Sequence, residues 1–151
     1  MDVRDAERGD YRAILKCLEE MGTDNAQFSI SWLKVTKTVA SMIDDPDAWI
    51  FLAIDDGAIA GMFAVEKTNP WYSEDYVLEE AWIFVRKPYR KTRAIFKLLK
   101  EVQNLSCLLG NMPVSVNVVT PHRPDAKVKL FKRYFNLIGY RHVQKEIQTG
   151  N

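Results

Sequence analysis

Two cysteines and two histidines are few for a chain of 151 residues, and neither pair sits at metal-ligand spacing. Cys17 and Cys107 lie inside apolar helical patterns, AILKCLEEM and NLSCLLG, so both read as small core residues, with no disulfide framework and no structural zinc. His122 and His142 stand in basic surroundings without a ligand partner, so no metal is expected. Long apolar runs are missing too: AWIFLAI from Ala48 and GAIAGMFAV from Gly57 fall short of the ~20 residues a membrane span needs. The acidic opening MDVRDAERGD is unlike a signal peptide, and the expectation is a cytoplasmic protein with no membrane partner. No repeat, linker or low-complexity tract interrupts the chain, so residues 1–151 should form one domain. Whether it is a homodimer stays open.

Acidic residues are absent from one stretch, VRKPYRKTRAIFKLLK at residues 85–100, which carries seven basic ones: Arg86, Lys87, Arg90, Lys91, Arg93, Lys97 and Lys100. The net charge of +1 conceals this: residues 1–84 hold 7 Lys/Arg against 17 Asp/Glu, and residues 85–151 hold 14 against 3. Two such halves can meet ligands of opposite sign or attract each other across one fold.

The order of elements follows from the apolar periods. DVRDA reads as a short strand, with Asp10 a candidate N-cap for the helix YRAILKCLEEM. SISWLKVTKTVASMI is a second helix capped by Ser29 or Ser31. AWIFLAI and GAIAGMFAVEK flank Asp56-Gly57, a strong hairpin signal, and YVLEEAWIFV is a further strand running into the basic segment. From about Thr92 the stripe Ile95, Leu98, Leu99, Val102 and Leu105 marks a helix stopped by Gly110 and Asn111. PVSVNVVT is a strand. Asp125 is a candidate cap for a helix carrying Val128, Phe131, Tyr134, Phe135 and Ile138, ended by Gly139, and YRHVQKEI closes the chain as a strand. The order β α α β β β α β α β belongs to an α/β domain.

The basic cluster therefore sits on a strand-to-helix turn, whose free N–H groups and positive helix end suit a phosphate. Here the chain resembles the GNAT acetyltransferase superfamily, whose loop of the type V-x-P-x-x-R-G-x-G-x-G-x-x-L-L holds the pyrophosphate of acetyl-CoA. The match is Val85, Pro88, Arg90, Leu98 and Leu99, with Pro88 one residue nearer Arg90 than in that pattern. Lys91, Arg93 and Ile95 stand where the family has glycines, a departure weakly shared with some phage-encoded members. The terminal helix, Gly139-Tyr140 and strand resemble the family's closing motif. The resemblance implies a single-domain GNAT-like α/β fold, a mixed and mostly antiparallel sheet flanked by helices, and acetyl-CoA as co-substrate. It places the phosphates against Arg90, Lys91, Thr92, Arg93 and Ala94, and the thioester carbonyl against the backbone of Ile83, Phe84 and Val85, with Asn117 available to pantetheine.

Acetyl transfer needs a neutral amine, so a base must take a proton from the ammonium. The family's base is commonly a Glu on the fourth strand, where this chain has Glu79 and Glu80. Strict alternation groups Glu79 with Ala81, Ile83 and Val85, and Glu80 with Trp82 and Phe84; the resemblance favours Glu79, because several family members have their base six residues before the position of Val85. Tyr134, one position before the family's acid, is the candidate proton donor to the thiolate. Trp71 and Tyr72 are candidates for an aromatic lip over a small-molecule or protein amine, cationic if it approaches from the acidic half. A reading of another class stays open: a catalytically silent GNAT-like module binding protein or nucleic acid through its basic half.

Overall fold

A computed structural model describes residues 1–24, 29–118, 124–135 and 137–142. The chain runs β1 (Asp2–Asp5), α1 (Tyr11–Asp24), α2 (Trp32–Asp44), β2 (Ala48–Asp55), β3 (Ala58–Thr68), β4 (Val77–Val85), α3 (Ala94–Leu108), β5 (Val114–Val118), α4 (Pro124–Tyr134) and β6 (Leu137–His142). Two short 3-10 turns, Arg8–Asp10 and Lys87–Tyr89, precede α1 and α3. The order of helices and strands is the one read from the sequence.

The six strands form one sheet in chain order, antiparallel from β1 to β4 and parallel from β4 to β6. Parallel neighbours need crossovers, and α3 and α4 supply them. The β2–β3 turn takes Asp56 and Gly57 to φ 48° and 79°, the left-handed pair that a two-residue hairpin requires. Each face of the sheet is covered. Phe51, Phe63, Val65, Leu78, Val114 and Val116 pack under α3 and α4, while Ile50, Leu52, Met62, Ala64 and Phe84 pack under α1 and α2. At Gly61 a Cβ would come within 3.0 Å of Phe84 O and 3.3 Å of Leu98 Cδ1, so glycine there lets α3 sit close to the sheet. No helix among the described residues is long and apolar enough to cross a membrane.

Several local expectations are corrected. Asp10 does not cap α1; it closes the preceding 3-10 turn by accepting Glu7 N–H (2.8 Å), and Arg4 grips both of its oxygens (2.7 and 2.9 Å). Ser31, not Ser29, caps α2, accepting Lys34 N–H at 3.4 Å. Asp125 lies inside the first turn of α4, where its charge complements the helix dipole. That helix stops at Tyr134, so Ile138 and Gly139 belong to β6 and not to a helix end. Cys17 is buried as expected, but Cys107 is exposed on α3. His122 and the last strand's residues beyond His142 lie outside the described residues.

Candidate active site

The sheet is incomplete at one place. β4 and β5 share only the register pairs Leu78↔Val114 and Glu79↔Ser115, and then their ladder ends. Directly after it, β4 carries a bulge: Glu80 lies opposite Val65 and Trp82 opposite Ala64, leaving Ala81 as the extra residue. A bulge bends its strand and increases the twist. The rest of β4 departs from β5 and continues beside β3 alone.

The bulge also decides where the carboxylates go. Register partners share a face, so Glu80 lies with Val65 on the α3/α4 side, which Ile83 and Val85 also occupy. Trp82 and Phe84 lie on the α1/α2 side. Strict alternation had grouped Glu80 with Trp82 and Phe84, and Glu79 with Ile83 and Val85; the extra residue exchanges the two. Glu79 is exposed and directly opposite Glu66. Glu80 is 5% exposed.

Glu80 fills the mouth of the split. Its Oε2 accepts the Asn117 N–H from β5 at 3.0 Å, and Asn117 Nδ2 donates to Glu80 O at 3.3 Å. One carboxylate and one amide thus replace the ladder bonds that the diverging strands no longer make. Burial pushes the Glu80 carboxyl up to about 7, against the opposing pull of the two Asn117 bonds and of the Lys127 ammonium. A carboxyl poised there exchanges protons at neutral pH. Lys127, on the first turns of α4, was not singled out from the sequence; a lysine on a solvated helix face has no distinguishing local signal.

Beyond the bulge, Arg86 N–H bonds Ala60 O at 2.9 Å. By alternation the N–H groups of Ile83 and Val85 turn to the opposite edge, the one that β5 has left. Phe84 differs from its two neighbours: its backbone faces β3, and its ring is buried under α1 and α2.

The basic turn needs no glycine. Arg90 (φ −68°, ψ −21°) is helical and Arg93 has φ −81°, and among the described residues only Asp56 and Asn111 are non-glycine residues with positive φ. Thr92 Oγ1 donates to Tyr89 O (2.6 Å) and accepts Ala94 N–H (3.3 Å), so it satisfies the first amide of α3, one residue ahead of the N-cap Arg93. The N–H groups of Ile95 and Phe96 follow, ahead of the helical bond from Lys97 N–H to Arg93 O (3.0 Å). Lys91 and Arg93 are exposed. Arg90 is engaged: its Nε donates to Val85 O at 3.0 Å and its Nη2 to Asp24 at 2.6 Å.

Two aromatic groups remain. Trp71 and Tyr72, 95% and 75% exposed, meet edge to face at 5.5 Å in the β3–β4 loop, packed on each other at the end of β4 opposite the basic turn. Tyr134, half-buried, ends α4 beside Phe135, whose ring packs on Phe63 and Phe131. Phe135 is therefore core, and Tyr134 is the residue of the two that carries a hydroxyl.

No family model and no curated protein matches the chain in sequence. Solved structures do match it in fold. A possible acetyltransferase from Clostridium difficile 630 aligns at a TM-score of 0.72 and 15% identity, over 97% of each chain. The fold is that of the GNAT acetyltransferases. A second GNAT structure, an aminoglycoside acetyltransferase from an uncultured soil metagenomic sample in complex with sisomicin, aligns at 0.66 and 14% identity over 99% of this chain and 96% of its own. A predicted acetyltransferase with acetyl-CoA from Clostridium acetobutylicum aligns at 0.64 and 9% identity, over 75% and 77%.

Proposed function

We propose that this chain is an acetyl-CoA-dependent N-acetyltransferase that passes its acetyl group to a primary amine by direct attack in a ternary complex. The observation that carries the reading is Glu80, a buried carboxyl raised to about 7 at the point where β4 and β5 part. In its ionised form Glu80 takes a proton from the bound ammonium. The neutral amine attacks the thioester carbon, and charge builds on the carbonyl oxygen beside the N–H groups of Ile83 and Val85. Collapse expels the CoA thiolate, which takes a proton from Tyr134, and the proton that the new amide nitrogen must shed restores the tyrosine. Ile95 and Phe96 N–H, with Arg90, Lys91 and Arg93, receive the pyrophosphate at the positive end of α3.

The acceptor is a cationic small molecule or a lysine side chain. The exposed aromatic pair Trp71/Tyr72 supports that choice, as does the aminoglycoside acetyltransferase among the structural neighbours. A module tracking nucleic acid along the basic half is the weaker reading, because Arg86 is withdrawn from that half, with all three of its nitrogens fixed on Glu20 and Ile59 O.

Calorimetry with acetyl-CoA and acetyl-pantetheine, followed by turnover of a polyamine, tests the reading. Acetyl-CoA should bind and acetyl-pantetheine should bind far more weakly. Glu80→Gln should lower turnover at pH 7 by about 10²- to 10³-fold, with recovery in alkali as the amine deprotonates itself, and Glu79→Gln should stay within about twofold. Equal affinity for the two thioesters, or wild-type levels of turnover in Glu80→Gln, would refute it.

A further inference from the structure

Helix α1 ends with the wrong charge. Glu19, Glu20 and Asp24 crowd its last two turns with no basic residue in the final one, although the negative end of a helix dipole favours cations. The missing positive charge comes from the turn between β4 and α3. Arg86 holds Glu20 with two bonds (2.9 and 3.0 Å), and its third nitrogen is fixed on Ile59 O (3.1 Å). Asp24 is held differently, with one oxygen on Arg90 Nη2 (2.6 Å) and the other on Lys87 Nζ (3.3 Å).

A carboxylate clasped between two cations of an anion-binding turn is bound as a ligand would be. Those cations belong to the turn that the co-substrate reading assigns to a pyrophosphate. Arg90 does not depend on Asp24 for its place, because its Nε is anchored on Val85 O. It can therefore exchange the partner of its Nη2 without leaving the site. Among the described residues Asp24 has no such second anchor for its side chain, and Arg90 and then Lys87 hold its carboxyl below the usual range.

We propose that Asp24 is an internal stand-in for phosphate, seated on Lys87 and Arg90 in the free protein and expelled when a pyrophosphate-bearing co-substrate binds. This rests on the acetyl-CoA reading and adds a coupling to it. Once expelled, Asp24 is left at the negative end of α1 without a counter-charge, while Glu20 stays on Arg86, so the last turn of α1 loosens as the nucleotide arrives. The freed carboxylate is then available to a cationic acceptor only after acetyl-CoA is in place.

Amide hydrogen exchange and calorimetry on the full chain test this, with inorganic pyrophosphate, acetyl-CoA and acetyl-pantetheine as probes and Asp24→Asn and Glu20→Gln as variants. Pyrophosphate and acetyl-CoA should speed exchange at residues 21–24, and acetyl-pantetheine should not. Asp24→Asn should show that faster exchange without ligand and bind pyrophosphate about fivefold more tightly, the loss of one partly exposed ion pair. Glu20→Gln removes the same charge from a neighbouring pair and should leave pyrophosphate affinity unchanged. Equal tightening in both variants would reduce Asp24 to a bystander charge and overturn the proposal. Binding of acetyl-CoA with no change at residues 21–24 would overturn the coupling alone, whereas no binding of either phosphate ligand would remove the co-substrate reading and the coupling with it.

Discussion

β2 and β3 face each other along eight register pairs, whereas β4 and β5 share two. Along the longer ladder, broken by a single bulge between Ala53 and Ile54, most of the backbone satisfies itself, and the side chains are free to be apolar on both faces: Ile50, Phe51, Leu52 and Ala53 on β2, and Ala60, Met62, Phe63, Ala64 and Val65 on β3, are all buried. Where the ladder stops, polar groups need other partners. A carboxylate enters the interior to meet one of them, and burial gives it a proton affinity that a surface glutamate lacks. The candidate site is thus made from pairing that the sheet does not complete, held open by pairing that it does.

Breaking the longer ladder should cost the most. Phe63 is fully buried and stacks edge to face on Phe135 at 6.0 Å, so Phe63→Ala should lower unfolding free energy by about 4 kcal/mol in urea titration. The split region should respond in the opposite direction. Glu80 binds its proton more tightly folded than unfolded, so wild-type stability should fall as pH rises from 4.5, where a glutamate ordinarily titrates, to about 7. Glu80→Gln keeps an acceptor for Asn117 N–H without the buried charge. It should match the wild type below this window and exceed it by roughly 3 kcal/mol above, read from urea midpoints at pH 4 and 8. A variant that loses turnover and gains stability would mark Glu80 as a functional carboxyl. Asn117→Ala removes the side-chain bond across the mouth of the split and should cost about 1 kcal/mol. Thr92→Val, which removes the acceptor of the first amide of α3, should cost about 0.5–1 kcal/mol and slightly raise helix-end exchange.

Most of the architecture was legible because it rests on local signals. The Asp56-Gly57 turn, the period-3.6 stripe of α3 and the Gly110-Asn111 stop each act within a few residues, and the structure has all three. What was lost depended on partners far along the chain. Nothing in VLEEAWIFV marks Ala81 as a bulge, since the extra residue is defined by what lies opposite on β3, and one residue of error reverses a face. The attraction between acidic and basic halves was one of two readings of the charge asymmetry. Arg86, Lys87 and Arg90 on Glu20 and Asp24 realise it, but which charges would pair could not be read without knowing that α1 ends beside the turn. Cys107 was misjudged because a helical stripe gives the direction of the core only to within a residue.

Ala81 also bears on how relatives should be compared. Counting residues back from Val85 is a safe coordinate only while strands stay regular. A gapless alignment of β4 with an unbulged strand would match Glu79 to the residue facing α3 and α4, and would match Glu80 to one on the far side of the sheet. A single gap at Ala81 restores the correspondence, because the residue opposite Val65 is then the same in both. The face on which a carboxylate of this strand lies is thus set by the bulge as much as by the residue's own position in the sequence.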